Sequence, residues 1–145
     1  MDTSAPAPPD VATPARRPRV SLWLLRGILA VHLVAVLCQP VLAGLFLSGD
    51  VAAIEIHGVI GTVMGLLTLV ALGAAVAYVI AGRGRLWVLP VGVVLLLAEG
   101  AQIGLGYAHE LQLHIPLGVA IVVASVLLAI WAWTPSAAAP RRGRS

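Results

Sequence analysis

Four long apolar stretches, separated by short polar breaks, constrain this chain more than any other feature. They cover residues 22–47, 56–81, 86–107 and 111–133. A bilayer core about 30 Å thick requires roughly 20 apolar residues per helix, and a chain with 60% hydrophobic and only 10% charged residues falls outside the range of soluble domains. The sequence predicts an all-α integral membrane four-helix bundle of residues 21–134, running up-down-up-down, with no room for a soluble domain.

The basic residues predict the orientation of this bundle. All nine are arginines. Eight of them form three clusters, at positions 16–19, 83–85 and 141–144. Four spans place these clusters on one side, which the positive-inside rule makes the cytoplasm. We therefore expect a multi-pass protein of the plasma (inner) membrane with both termini cytoplasmic, and the basic charge balance, being explained by topology, does not indicate a nucleic-acid partner.

The two ends of the chain differ in composition from the predicted bundle. Residues 1–20 are rich in proline and alanine, and residues 135–145 are small, polar and basic. Neither segment shows apolar periodicity, so both are predicted to be disordered cytoplasmic tails. The first helix, despite its arginine-rich flank, is expected to stay uncleaved because its end takes part in an internal repeat.

The internal repeat links the two halves of the predicted bundle. Each half has the order Gln, Leu, Gly, His, Gly, and the members are Gln39, Leu42, Gly44, His57 and Gly61 in the first half and Gln102, Leu105, Gly106, His114 and Gly118 in the second. The Gln-to-His separation is 18 residues in one half and 12 in the other, a difference that falls in the outer loop. The order predicts two parallel two-helix repeats related by an axis along the membrane normal.

The repeat predicts a binding site between the second and fourth helices. An axis of this kind makes His57 and His114 face each other at one depth, and Gly61 and Gly118, four residues later, share the histidines' helix faces and leave clearance beneath the rings. Two imidazoles in this arrangement are suited to axial ligation of a flat metal cofactor. We predict haem b as the cofactor, with His57 and His114 as its metal ligands and the two glycines as its walls.

The motifs around these residues resemble one four-helix half of the haem A synthases of cytochrome oxidase assembly. The resemblance covers roughly residues 24–133 and rests on residues 39–49, 55–57, 102–106 and 113–114. It implies a four-helix bundle with His57 and His114 as the axial pair. The chain departs from the family in placing Glu55 two residues before His57, in having Cys38 as its single cysteine, and in containing one bundle. Haem A synthesis is therefore not carried over, which favours a haem b carrier or a cofactor-less relative.

A polar stripe runs inside the predicted third helix. Glu99 lies within the membrane, where an ionisable group costs roughly 2.5 kcal/mol or more, and it shares a helix face with Gln102. One interpretation pairs a protonated Glu99 with Gln39 across the axis; another makes Glu99 a proton acceptor coupled to haem redox or to a quinone. His32 has no counterpart in the third helix, so we interpret it as a hydrogen-bonded core histidine.

Three classes of function remain open from the sequence. The first is a b-type haem protein for electron transfer, which requires both His57 and His114. The second is a cofactor-less assembly or interaction subunit, and the third is a small proton or solute pathway centred on Glu99. No nucleotide motif or nucleophile triad favours an enzyme. The partners expected are the lipid bilayer, a quinone or a redox or assembly protein, and a second copy of the chain in a homodimer.

Overall fold

The computed structural model describes residues 20–141, which form helices joined by turns, with no strand in that range. The elements are α1 (Val20–Leu47), α2 (Ala52–Ile80), α3 (Val88–Tyr107), α4 (Leu111–Trp133) and the short α5 (Pro135–Ala138). Helices α1 to α4 are each long and apolar enough to cross a bilayer. The predicted all-α four-helix membrane bundle is confirmed.

The four long helices stand at the corners of a square. Helix α1 packs against α2 and α4, and α3 packs against the same two neighbours. The turns between them are short, which makes consecutive helices antiparallel. Helices α1 and α3 therefore lie on one diagonal, and α2 and α4 lie on the other. We call the end with the turns 48–51 and 108–110 the His end, and the end with the turn 81–87 the Arg end.

Helix α2 begins four residues earlier than the apolar pattern predicts. The carboxylate of Asp50 accepts a hydrogen bond of 3.1 Å from the backbone N–H of Ala52, which satisfies one of the free donors at the helix start. Gly49, with a φ of +105°, makes the preceding turn. As a result His57 is the sixth residue of α2, whereas the predicted span that starts at residue 56 made it the second.

Aromatic packing closes the Arg end. The ring of Tyr78 is fully buried, and its hydroxyl donates a 2.8 Å hydrogen bond to the carbonyl of Ala137 and accepts one of 3.2 Å from the N–H of Arg85. A Cβ at Gly84 would overlap the Tyr78 ring, so the turn 81–87 can lie on this ring only with glycine there. The ring of Trp131 packs edge-on against that of Tyr78, with centroids 6.1 Å apart.

Arg26 is a buried cation at the same end. Its Nε donates a 2.8 Å hydrogen bond to the carbonyl of Ala132. Its guanidinium carbon lies 4.9 Å from the ring centre of Trp23 and 4.8 Å from that of Trp133. Cation–π contacts of this kind stabilise a charge that is removed from water, which explains how an arginine is accommodated one and a half turns inside α1.

The segment after α4 differs from the expected disordered tail. Residues 135–138 form α5, the side chain of Ala137 is buried, and the N–H of Arg141 donates a 2.8 Å hydrogen bond to the carbonyl of Arg83. The expectation was wrong for residues 135–141 because composition did not reveal that Tyr78 offers a hydroxyl to this segment. Residues 1–19 and 142–145, for which disorder was also predicted, lie outside the described residues.

Candidate functional site

A cavity of about 350 Å³ lies at the His end, between all four long helices. His57 on α2 and His114 on α4 face it from opposite corners of the square, and both are half-buried. Apolar side chains such as Val36, Met64 and Ile103 make most of its wall. A cavity of this size, largely apolar with a few convergent polar groups, has the character of a small-molecule or cofactor site.

The two histidines are held in the same way in both halves of the chain. The Nδ1 of His57 lies 3.3 Å from the carbonyl oxygen of Gln39, and the Nδ1 of His114 lies 3.0 Å from the carbonyl oxygen of Gln102. Each carbonyl has a second lone pair available besides the one used within its helix. The Gln and His positions of the sequence repeat thus correspond to one repeated contact between neighbouring helices.

The contact at Nδ1 leaves the other ring nitrogen free. Within residues 20–141, the Nε2 of neither His57 nor His114 has a hydrogen-bond partner. An Nδ1–H donated to a backbone carbonyl fixes the tautomer with a lone pair on Nε2, which is the usual arrangement of a metal-binding histidine. Each ring therefore presents an available ligand atom at the cavity.

The spacing of the rings matches that of two ligands on one metal. The ring centroids of His57 and His114 lie 6.1 Å apart. A histidine nitrogen binds a metal at about 2.0 Å, so two Nε2 ligands on opposite sides of one ion would place their centroids about 6 Å apart. The described part of the chain has no group of three or more His, Cys, Asp or Glu side chains suited to a metal ion. The pair suits a metal that brings its remaining ligands with it, as in a haem.

The glycines near the histidines fall into two groups. A Cβ added to Gly58 or Gly61 would meet nothing within 4 Å, so α2 leaves open space beside His57. A Cβ at Gly106 would lie 3.0 Å from the His114 ring, and one at Gly118 would lie 2.8 Å from Nε2 of Gln102. The clearance predicted at Gly61 is present, whereas the space at Gly118 is filled by Gln102.

The side chains of the two repeated glutamines are placed differently. The Nε2 of Gln39 donates a 3.3 Å hydrogen bond to the carbonyl of His57, which ties α1 to α2. The Oε1 of Gln102 is buried and has no partner among the described residues. A buried amide oxygen without a donor is uncommon in proteins, and this one belongs to a residue that lines the cavity.

Glu99 and His32 meet across the other diagonal, deeper in the bundle. The Oε1 of Glu99 lies 2.7 Å from Nε2 of His32, and its Oε2 accepts a 2.7 Å hydrogen bond from the hydroxyl of Thr68. The pairing of Glu99 with Gln39 that the sequence suggested is therefore wrong, because Gln39 lies at the His57 level. His32 is a hydrogen-bonded core histidine, as expected.

Thr68 is the residue of this cluster that sequence reasoning missed. It lies eleven residues after His57 and seven after Gly61, a spacing that places all three on one face of α2. That periodicity could have identified it as a polar group facing the interior. Of the other titratable groups near the site, Glu55 is exposed, and His109 is an exposed residue of the turn 108–110 at the cavity mouth.

No protein-family model, curated protein or solved structure matches this chain. The resemblance to haem A synthases therefore rests on the motifs alone, and nothing in these comparisons adds to it.

Proposed function

We propose that this protein is a small b-type haem protein of the membrane that transfers electrons, with His57 and His114 as the axial ligands. The observation that carries the proposal is the arrangement of these two rings. Each is anchored through Nδ1 to a backbone carbonyl of the preceding helix, each has an Nε2 without a hydrogen-bond partner among the described residues, and their centroids lie 6.1 Å apart.

The surroundings of the pair support the same chemistry. A bound haem would supply a one-electron couple, and a haem held by the two histidines would suit electron transfer more than oxygen binding. The open space beside Gly58 and Gly61 would admit a porphyrin edge. The apolar wall formed by Val36, Met64 and Ile103 would keep water from the iron, and His57 and His114 would keep their orientation through the carbonyls of Gln39 and Gln102.

The proposal also specifies the orientation of the protein in its membrane and the kinds of partner that would exchange electrons with it. The arginines in the turn 81–87 and at the end of the chain favour an inner-membrane protein whose Arg end and termini are cytoplasmic. The His end then lies at the outer face, where a quinone or a redox or assembly protein of the same membrane would exchange electrons with the site. A homodimer would bring two such sites together in one assembly.

The test is a reduced-minus-oxidised absorbance spectrum of the detergent-purified protein, expressed with haem supplied. We expect a b-type α band in the wild type and its loss in both His57→Ala and His114→Ala, since each substitution removes one axial nitrogen. His109→Ala is the matched control, because this exposed histidine of the turn 108–110 is not a proposed ligand. A folded wild type that binds no haem would contradict the proposal, and so would an unchanged band in either ligand variant.

A further inference from the structure

A titratable pair lies buried below the proposed haem site. The carboxyl of Glu99 is 2% exposed and His32 is 1% exposed, yet the two share a 2.7 Å contact deep within the membrane-spanning part of the bundle. The hydroxyl of Thr68, also buried, donates to the second carboxyl oxygen. Three helices supply one residue each. Ionisable groups at this depth are costly and usually serve a function.

The pair lies between two cavities. Glu99 lines the 350 Å³ cavity that also contains His57 and His114. His32 and Thr68 line a second cavity of about 20 Å³ toward the Arg end, whose other lining residues are apolar or glycine. A space of that size holds about one water molecule. The cluster is therefore reached from the His end, and apolar packing separates it from the Arg end.

We propose that the Glu99–His32 pair is a proton-accepting site that takes up one proton when a haem held by His57 and His114 is reduced by one electron. This inference rests on the function proposed above, and it adds that proton uptake is coupled to electron transfer at that same site. The electron comes from a reductant of the quinol class, which is oxidised to the semiquinone and releases one proton to water. The proton comes from water at the mouth of the His-end cavity.

The charges of the interior balance in this scheme. Before the electron arrives, Glu99 is a carboxylate that accepts hydrogen bonds from the Nε2–H of a neutral His32 and from Thr68, and the pair carries one negative charge. After it takes up a proton, the pair is neutral, with the proton on either partner of the 2.7 Å contact. One electron and one proton enter together, so the net charge of the low-dielectric interior does not change.

The two sites are close enough for this coupling. Glu99 precedes Gln102, whose carbonyl holds His114, by three residues, which is roughly 4.5 Å along the axis of α3. At an effective dielectric constant of about 20, a unit charge about 10 Å away changes the proton affinity of a group by roughly tenfold. An electron held in a haem between the histidines would therefore favour proton uptake at the Glu99–His32 pair.

The other charged or titratable groups on the helices around Glu99 do not replace it in this role. Helix α1 carries His32, which is part of the pair, and Arg26, which is engaged by the carbonyl of Ala132 at the Arg end. It also carries the half-buried Cys38, which does not line the cavity of His57 and His114. Helix α2 carries the exposed Glu55, His57 at the cavity and Tyr78 at the Arg end, and α4 carries His114. Ser125 of α4 is buried but does not titrate in the accessible pH range.

The test is the midpoint potential of the haem-loaded protein as a function of pH, measured with dithionite and redox mediators. We expect the wild-type potential to fall as pH rises with a slope that approaches one proton per electron, because reduction takes up a proton. Glu99→Gln keeps the shape of the side chain and should abolish this slope while the b-type α band remains. Glu110→Gln, an exposed glutamate of the turn 108–110, is the matched control and should keep the slope.

A second measurement keeps the proposal testable if Glu99→Gln does not fold. The reduced-minus-oxidised infrared difference spectrum of the wild type should change in the carboxyl region, with a shift in heavy water, and Thr68→Val should move the affected carboxyl band. A wild type with an α band but a pH-independent potential overturns the coupling and leaves the haem function intact. Absence of the α band overturns both.

Discussion

At the scale of single residues, the site depends on what lies beside the two histidines as much as on the rings. His57 and His114 make the same contact through Nδ1, but their surroundings differ. Gly61 faces open space, whereas the amide of Gln102 occupies the space over Gly118. The cavity is thus more open on the α2 side, so we expect the edge of a planar ligand held between the two rings to fill the space beside Gly61.

Gly61→Leu tests this asymmetry. A leucine would project into the open space beside His57, and overpacking of this kind costs about 1–3 kcal/mol, which corresponds to a loss of haem affinity of roughly fivefold to 150-fold. The measurement is haem titration followed by the α band, with thermal unfolding recorded in parallel. Gly73→Leu on the same helix is the control, because Gly73 is exposed and also has open space. Equal haem affinity in the two variants would show that the ligand does not use this space.

Residue spacing predicted part of this site and missed the rest. The equivalence of the Gln39–His57 pair with the Gln102–His114 pair could be predicted from the sequence, because a repeat marks equivalent positions in equivalent helices. The partner of Glu99 was not readable, because a pairing across a diagonal depends on the relative depth of helices that the sequence does not state. Gln39 and Glu99 lie on diagonal helices, and the structure places them at different levels.

At the scale of elements, the turn 81–87 and α5 behave as one unit around Tyr78. The hydroxyl of Tyr78 contacts both segments, and the carbonyl of Arg83 accepts the N–H of Arg141. Arg83 has a φ of +50°, an uncommon conformation for a residue with a side chain. The apolar pattern gave no sign of this unit, since its stabilising contacts are hydrogen bonds between backbone groups and one buried phenol.

Tyr78→Phe should loosen this unit selectively. The change leaves the ring in place but removes the bonds to the Ala137 carbonyl and the Arg85 N–H, and a buried group left unpaired costs about 1–3 kcal/mol. We expect the free energy of unfolding in detergent to fall by about that amount and hydrogen exchange to rise in residues 135–141. Tyr107→Phe, at a tyrosine that is 74% exposed, is the control. Unchanged exchange in that segment would mean that α5 is stabilised by other contacts.

At the scale of the whole molecule, the positions of the spans followed from apolar length and composition, and their bounds agree with the structure to within four residues. The discrepancies lie at the ends of helices, where capping by groups such as Asp50 decides the first turn. Orientation in the membrane is a separate question that the arginine clusters address. It requires a measurement in membranes.

Single cysteines introduced in a Cys38→Ser background would measure the orientation. Ser48→Cys lies in the turn at the His end and Ser136→Cys lies in α5 at the Arg end, and both positions are exposed. A membrane-impermeant maleimide applied to intact cells should label Ser48→Cys, and it should label Ser136→Cys only after lysis, because the positive-inside rule predicts a cytoplasmic Arg end. The reverse pattern would invert the topology, with the proposed haem site then facing the cytoplasm.

The two ends of the bundle are closed to different degrees, and this difference determines where a transmembrane voltage would fall within it. The Arg end is closed by the packing of Tyr78 and Trp131 and by the contacts of Arg26 with two tryptophan rings, while the His end holds a cavity whose mouth is lined by exposed residues. A transmembrane potential falls mainly across material that excludes water and ions. Most of the electric field would then cross the packed half between Glu99 and the Arg end. A proton that reaches Glu99 from the His end would cross little of that field. The protonated fraction of Glu99 would then depend on the pH at the His end more than on the voltage.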